Sequence, residues 1–401
     1  MQARTTDGLT PAADRSRWTG PVAVGLAAAG ILVLTVTTAA WIGLEPAWAY
    51  DFRAYFDAAL RLLASGSPYQ AETLGGPFRP GPGGLYLYSP LLAVALVPLT
   101  ALSEATAALV WLALHIGALG LACAAMPVPG RLRLATFGVA ALSAPVLDDL
   151  RLGNVSLIVT VLAVSAWRWL DRPLGAIAVA VSLAIRPTMG VLGAWWLLRG
   201  VWRPAVWTAL AAIVLVLVTL PLVGIGAWAD YLVVLRNIGD VTGVPRNVDL
   251  GSAVLLLGGP EWLAPWALFA GYSVAVAAIL LSLRRDRELS FVVTLTSTLL
   301  LAPLLWGHYL TLLIVPAAFL ASRGLWLGLA LPVLAWLPVI LVAVSPAVGD
   351  GAEAILPLVV LVAVFLLFTV ADRGDRAGFL SAGRRKTGDS LGDSSVLVSA
   401  E

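Results

Sequence analysis

From Pro21 to Leu44 the sequence carries no charged residue, and apolar runs of the same kind recur down the chain to residue 371. Inside hydrocarbon every backbone N–H and C=O must be satisfied within the protein, and a helix of about 20 apolar residues does this over one bilayer thickness. With 60% hydrophobic and 12% charged residues among 401, the sequence predicts an all-α polytopic membrane protein and excludes a soluble fold. The single cysteine, Cys123, allows no intramolecular disulfide and no thiolate cluster, and two histidines, His115 and His308, make no His-rich metal site. No metal, no cofactor and no nucleic-acid partner is expected.

Residues 1–19 are polar, with Arg4, Arg15 and Arg17, and lead directly into the first apolar run. This is expected to be a cytoplasmic tail ahead of a retained span rather than a cleaved signal. Further spans are expected near 105–126, 134–147, 154–170, 173–185, 188–198, 205–224, 262–283, 290–305, 309–321, 325–344 and 354–371, about 12 crossings in all. The Lys/Arg clusters of the short loops can all lie on the side of the N-terminus. Of the 25 basic residues, only Arg53, Arg61, Arg79, Arg151, Arg186, Arg236 and Arg246 then fall outside. Both termini are thus expected in the cytoplasm of a multi-pass plasma-membrane protein, with residues 20–371 as the membrane domain and 372–401 as a disordered tail.

Two long outer loops are expected, 45–86 and 225–261. In the first, Phe56, Leu60 and Leu63 recur at helical spacing while Asp57 and Arg61 form an i,i+4 pair, so Tyr55–Gln70 reads as an interfacial amphipathic helix ended by Gly66 and Pro68. The Gly/Pro-rich stretch between Gly75 and Gly84 reads as structureless. The segment Leu87–Leu102, with Pro90 and Pro98, breaks the parity of the loops and is expected to be re-entrant or a short helix pair.

Arg186 and Pro187 interrupt the apolar run Pro173–Leu198. An Arg at a helix centre costs roughly 2.5–3.5 kcal/mol on insertion scales, so it faces a partner, a cavity or a ligand, and here an anionic ligand is the sharper reading. Asp51 stands just before the amphipathic helix and is either a cap for it or a general base. Asp148, Asp149, Arg151 and Asn154 fill one turn, Arg246-Asn247-Val248-Asp249 closes the second outer loop, and Trp306-Gly307-His308-Tyr309 follows another run. A solvated turn for Asp148 and Asp149 and an interface position for His308 are the plain alternatives. Five separated segments nonetheless place polar residues at one face, as a membrane enzyme or a transporter vestibule would.

The order of Asp51-Phe52-Arg53-Ala54-Tyr55, Gly66-Ser67-Pro68-Tyr69, Leu87-Tyr88-Ser89-Pro90-Leu91, Leu152-Gly153-Asn154-Val155-Ser156, Arg186-Pro187 and Trp306-Gly307-His308-Tyr309 resembles glycosyltransferase family 87. These are actinobacterial membrane mannosyltransferases of the GT-C fold that use polyprenyl-phosphate-mannose. Members commonly carry Gly-Gln where this chain has Gly153-Asn154, Lys in place of Arg186, and paired histidines in place of His308-Tyr309. The resemblance implies an inverting transfer of a hexose, mannose above all, from the polyprenyl-phosphate sugar to a glycolipid or glycan hydroxyl at the outer face. It places Asp51 as general base, Arg186 and His308 at the donor phosphate, and Arg53, Tyr55, Tyr88, Asn154, Trp306 and Tyr309 as further candidates for substrate contact; Asn247, from the polar group that closes the second outer loop, is a candidate beside them. The alternatives are the same chemistry on polyprenyl-phosphate arabinose or glucose, and a lipid or sugar transporter. A transporter would show repeated halves and charges leading to both faces, and the sequence shows neither.

Overall fold

The structure, a computed structural model, describes residues 12–45, 48–76, 84–238, 244 and 246–370, with side chains from residue 20 onward. The first eleven residues, the stretch 77–83 and the tail from 371 lie outside the described residues, and so do the expectations placed on them.

Among the described residues every regular element is helical. Five helices, Gly20–Leu44, Glu104–Ala125, Trp202–Asn237, Glu261–Ser282 and Pro346–Val370, are long and apolar enough to cross a membrane, and a pair bent by 55°, Trp326–Leu334 with Leu337–Val344, makes six. The other expected crossings are shorter. Ser156–Arg168 and Pro173–Ile185 have 13 residues each, about 20 Å at 1.5 Å per residue, against about 30 Å of hydrocarbon. The run 134–147 is not one element, because Pro145 starts a new helix, Ala144–Leu152, after Gly130–Ala141 has ended. Hydropathy counted apolar residues without seeing these breaks.

The core of the bundle is the helix Arg287–Leu300, whose residues from Leu289 to Leu300 are all buried. A helix covered on every side can be apolar all round, and the Thr hydroxyls within it turn back onto its own carbonyls, as Thr294 does on Ser290 (2.8 Å). Residues 90–101 form a short helix with a 3-10 extension, Pro90–Leu96 and Val97–Ala101.

Two expectations change. The amphipathic helix runs Tyr50–Ser65 and buries Phe52, Tyr55, Ala59 and Leu62, whereas Leu60 and Leu63 of the expected face are exposed. Its inward stripe is set by the aromatic residues near its start, which find partners in distant segments. The region 225–261 is helical as far as Asn237, because Trp202–Asn237 continues past a break at Gly224 (φ 67°, ψ 170°), three residues after Pro221. A non-glycine residue would be strained there. Beyond the break Tyr231 and Val234 are buried, Asp230 accepts a hydrogen bond from Ser67 (3.0 Å), and the Asn237 amide donates to the Thr73 carbonyl (3.0 Å). These contacts hold as helix a segment whose hydropathy falls below that of a span.

Candidate active site

The site starts from a tight reversal. Helix Ala144–Leu152 ends at Gly153 in the left-handed region (φ 69°), and the next helix begins at Ser156. The indole of Trp111 donates to the Gly153 carbonyl (2.8 Å), and the fully buried Asp149 carboxylate accepts from the backbone N–H groups of Ser156 (3.1 Å) and Leu157 (3.2 Å). Asp149 is therefore no solvated turn residue; it satisfies the orphan donors that open a helix. A Cβ at Gly153 would lie 2.8 Å from the Cβ of Phe52 and 3.3 Å from Trp111. Gly153→Ala should therefore cost about 1–2 kcal/mol for its backbone alone, and more for the clash. The expected result is a lower thermal midpoint in detergent together with impaired activity; an unchanged midpoint would contradict it.

That reversal presents Asn154. Its Nδ2 donates to Asp51 Oδ2 (2.7 Å), with the hydroxyls of Tyr55 (3.0 Å) and Tyr88 (3.2 Å) also within reach. The Tyr55 hydroxyl donates to that of Tyr88 (3.1 Å). Asp51 is not the cap of its helix: Ala49, with φ 60°, holds the cap position, and its N–H donates to the Arg151 carbonyl (2.8 Å). On the other side of Asn154, Oδ1 accepts from the Ser156 hydroxyl (2.9 Å), which itself accepts from Arg186 Nη2 (2.8 Å). Arg186 sits where helix Pro173–Ile185 gives way to a 3-10 turn starting at Pro187, 6% exposed, with its guanidinium carbon 3.5 Å above the Tyr309 ring. Its Nε and Nη1 groups are buried with no hydrogen-bond acceptor among the described residues.

Trp306, His308 and Tyr309 arrive on the 3-10 helix Gly307–Leu313 and the residue before it. Their rings stand 5.1–5.8 Å apart, and His308 Nδ1 lies 3.6 Å from Asp148, which Arg151 holds at 2.8 Å. The buried Nε2 of His308 has no partner among the described residues. Burial raises the Asp51 carboxyl above the ordinary carboxylate range, against the opposing pull of His308 and the Asn154 bond. Burial also acts to raise Asp148, but His308 and Arg151 outweigh it and bring its pKa down to about 2. The two neighbouring acids are therefore shifted in opposite directions, Asp148 downward and Asp51 upward.

Asp51, Tyr55, Tyr88, Asn154, Arg186, His308 and Tyr309 thus come together, with Trp306 on their flank. Arg53 points the other way, half exposed, and pairs with Glu104 at 3.1 Å. Asn247 serves as a brace: its amide reaches Asp249 (2.5 Å) and the Pro303 carbonyl (3.2 Å), and its oxygen accepts from the Leu305 N–H (2.9 Å). Ser156, at the centre of the network, was legible only as the last member of a five-residue motif. A lone serine at a helix start carries no chemical signal of its own.

A model of the family described as Glycosyltransferase family 87 matches residues 86–306, more than half of the chain. The chain belongs to glycosyltransferase family 87. It is accordingly a glycosyltransferase, and its helices include several apolar enough to cross a membrane. No curated protein and no solved structure gives a match. The family 87 segment includes Tyr88, Asn154, Ser156, Arg186 and Trp306; Asp51, Tyr55, His308 and Tyr309 lie outside it and reach the same site through the contacts above.

Proposed function

We propose that this family 87 member transfers a hexose, mannose by the family resemblance, from a polyprenyl-phosphate donor to a hydroxyl of a glycolipid or glycan at the outer face of the plasma membrane. Asp51 takes the proton of the acceptor hydroxyl. The oxygen attacks the anomeric carbon, the bond from that carbon to the phosphate oxygen breaks, and polyprenyl phosphate leaves with the electron pair. A single displacement inverts the anomeric centre. The leaving phosphate is already a stabilised anion, so it needs positive charge and N–H donors rather than a general acid. Arg186 offers a planar donor fork and His308 a second donor, with Tyr309 holding the guanidinium plane. The reaction draws on no cofactor.

The observation that carries this reading is the pairing of a carboxylate with a buried guanidinium at the two ends of one hydrogen-bonded chain, the guanidinium keeping two N–H groups without an acceptor. Buried donors are almost always satisfied in proteins, and these two open positions support an anionic ligand at Arg186.

The test supplies membranes containing the protein with radiolabelled polyprenyl-phosphate-mannose, or with labelled nucleotide-linked mannose, and a lipid extract from a related actinobacterium as acceptor. Label is expected in a glycolipid or glycan from the lipid-linked donor alone, and the same assay with polyprenyl-phosphate glucose and arabinose assigns the sugar. Transfer from the nucleotide sugar with none from the lipid donor would sink the reading. Movement of intact labelled lipid across vesicles, with no glycosidic product, would favour transport instead.

A further inference from the structure

The polar network beneath Asp51 runs in one direction. Arg186 Nη2 donates to the Ser156 hydroxyl, which has one hydrogen of its own and gives it to Asn154 Oδ1; the Asn154 amide nitrogen then donates to Asp51. A guanidinium has donors and no acceptor, so the Ser156 hydroxyl cannot turn around. With its hydrogen directed at Oδ1, the Asn154 amide has one favourable orientation, nitrogen toward the carboxylate. The reverse orientation would set a carbonyl oxygen against Asp51. Ser156 is itself fixed, because its backbone N–H is held by Asp149 and by Asn154 Oδ1 (3.2 Å), and it is fully buried.

From this chain we infer that Ser156 is a positioning residue for the transfer reaction, its hydroxyl locking the Asn154 amide so that the Asp51 carboxylate is held for proton abstraction and coupled to the guanidinium that meets the donor phosphate. The inference rests on the role proposed above for Asp51. Ser156 is fully buried with its hydroxyl between Asn154 and Arg186, and its loss is inferred to act on turnover through Asn154 more than on donor affinity through Arg186.

The groups facing Asp51 are Tyr50 and Tyr55 on its own helix, Tyr88, Asp148, Asp149 and Arg151 on the segments below, and His308 and Tyr309 on the 3-10 turn. Ser156→Ala leaves all of them in place. It removes one of the two donors that Ser156 gives to Asn154 Oδ1, leaving the backbone N–H alone to hold the amide, and so weakens a bond that favours the ionised carboxylate. The acidic limb of kcat/KM should then move to higher pH.

The experiment compares the intact membrane-embedded wild type, Ser156→Ala, Asn154→Ala and the double variant in the polyprenyl-phosphate transfer assay, at matched protein level and across pH. Ser156→Ala is expected to lower kcat about tenfold with donor KM within about twofold, and to raise the pH of the acidic limb. Because Ser156 acts through Asn154, the double variant should be no slower than Asn154→Ala, whereas independent effects multiply. Ser156→Thr, which keeps the hydroxyl, should recover most of the turnover. A wild-type rate and limb for Ser156→Ala, or multiplying losses in the double variant, would overturn the inference while leaving the transferase reading intact. Should Ser156→Ala not accumulate, Asn154→Ala alone carries the test: an unmoved acidic limb would show that the network does not set the Asp51 carboxylate. A wild type that transfers from no lipid-linked donor is a failure of the transferase reading itself, and it removes the inference with it.

Discussion

Asp51→Asn should lower the transfer rate by about 10² to 10⁴, the range a positioned base contributes, with little change in protein level. The substitution keeps the shape of the side chain and its place on the helix, and it replaces the carboxylate that can take the acceptor proton with a neutral amide that cannot. Because burial raises the Asp51 carboxyl above the ordinary carboxylate range, the wild type should be fully active above that value and lose activity as pH falls through it. The acidic limb therefore lies higher than a solvent-exposed aspartate would put it. In Asp51→Asn the residual rate should be flat across the same window. A variant that matched wild type would move the search for the base to Asp57, Asp148 and Asp149; of these Asp148 is held ionised by His308 and Arg151, and Asp149 is spent on the N-terminus of the helix beginning at Ser156.

The second large effect belongs to Arg186. Arg186→Met removes the charge and leaves an apolar chain over Tyr309, so the fold should tolerate it; a buried cation with no ion pair among the described residues is itself costly to the folded state. The loss should fall on the donor. Truncating one member of a buried, hydrogen-bonded charge pair typically costs about 2–5 kcal/mol, and about 10² to 10³ in kcat/KM for the polyprenyl-phosphate sugar is expected on that basis. Arg186→Lys keeps the charge but not the fork, and should recover only part of the loss. Equal kcat/KM for Arg186→Met and wild type, at equal protein level, would show that the phosphate is held elsewhere.

How far the sequence could be read depended on the range of the interactions involved. Helical class and apolar runs are local properties, and they were legible. Arg186 and Asp51 were legible because a charge at membrane depth and a lone acid after a span are each unusual in their immediate surroundings. Segment ends were not, because the Gly224 break, the separate helix begun at Pro145 and the continuation to Asn237 follow from backbone conformation and from packing on residues far away in the chain. The same holds for Arg53 and Asn247, whose residue types suit substrate contact but whose partners, Glu104 and the Pro303–Leu305 backbone, appear only in three dimensions. Ser156 shows the limit most clearly: its function comes from sitting between two residues that the sequence separates by 32 positions, Asn154 and Arg186.

The segments that meet at Asp51 also fix an order of events during synthesis. Asp51 emerges from the ribosome early, its amide partner Asn154 follows about a hundred residues later, and the His308–Tyr309 turn that completes the cluster follows only after most of the chain has been made. At about 5–20 residues per second the carboxylate waits on the order of 10 to 50 s for its last neighbours. A nascent chain can therefore seat its first spans in the bilayer while its chemistry is still unassembled, and competence arrives late, as one of the closing steps of biogenesis.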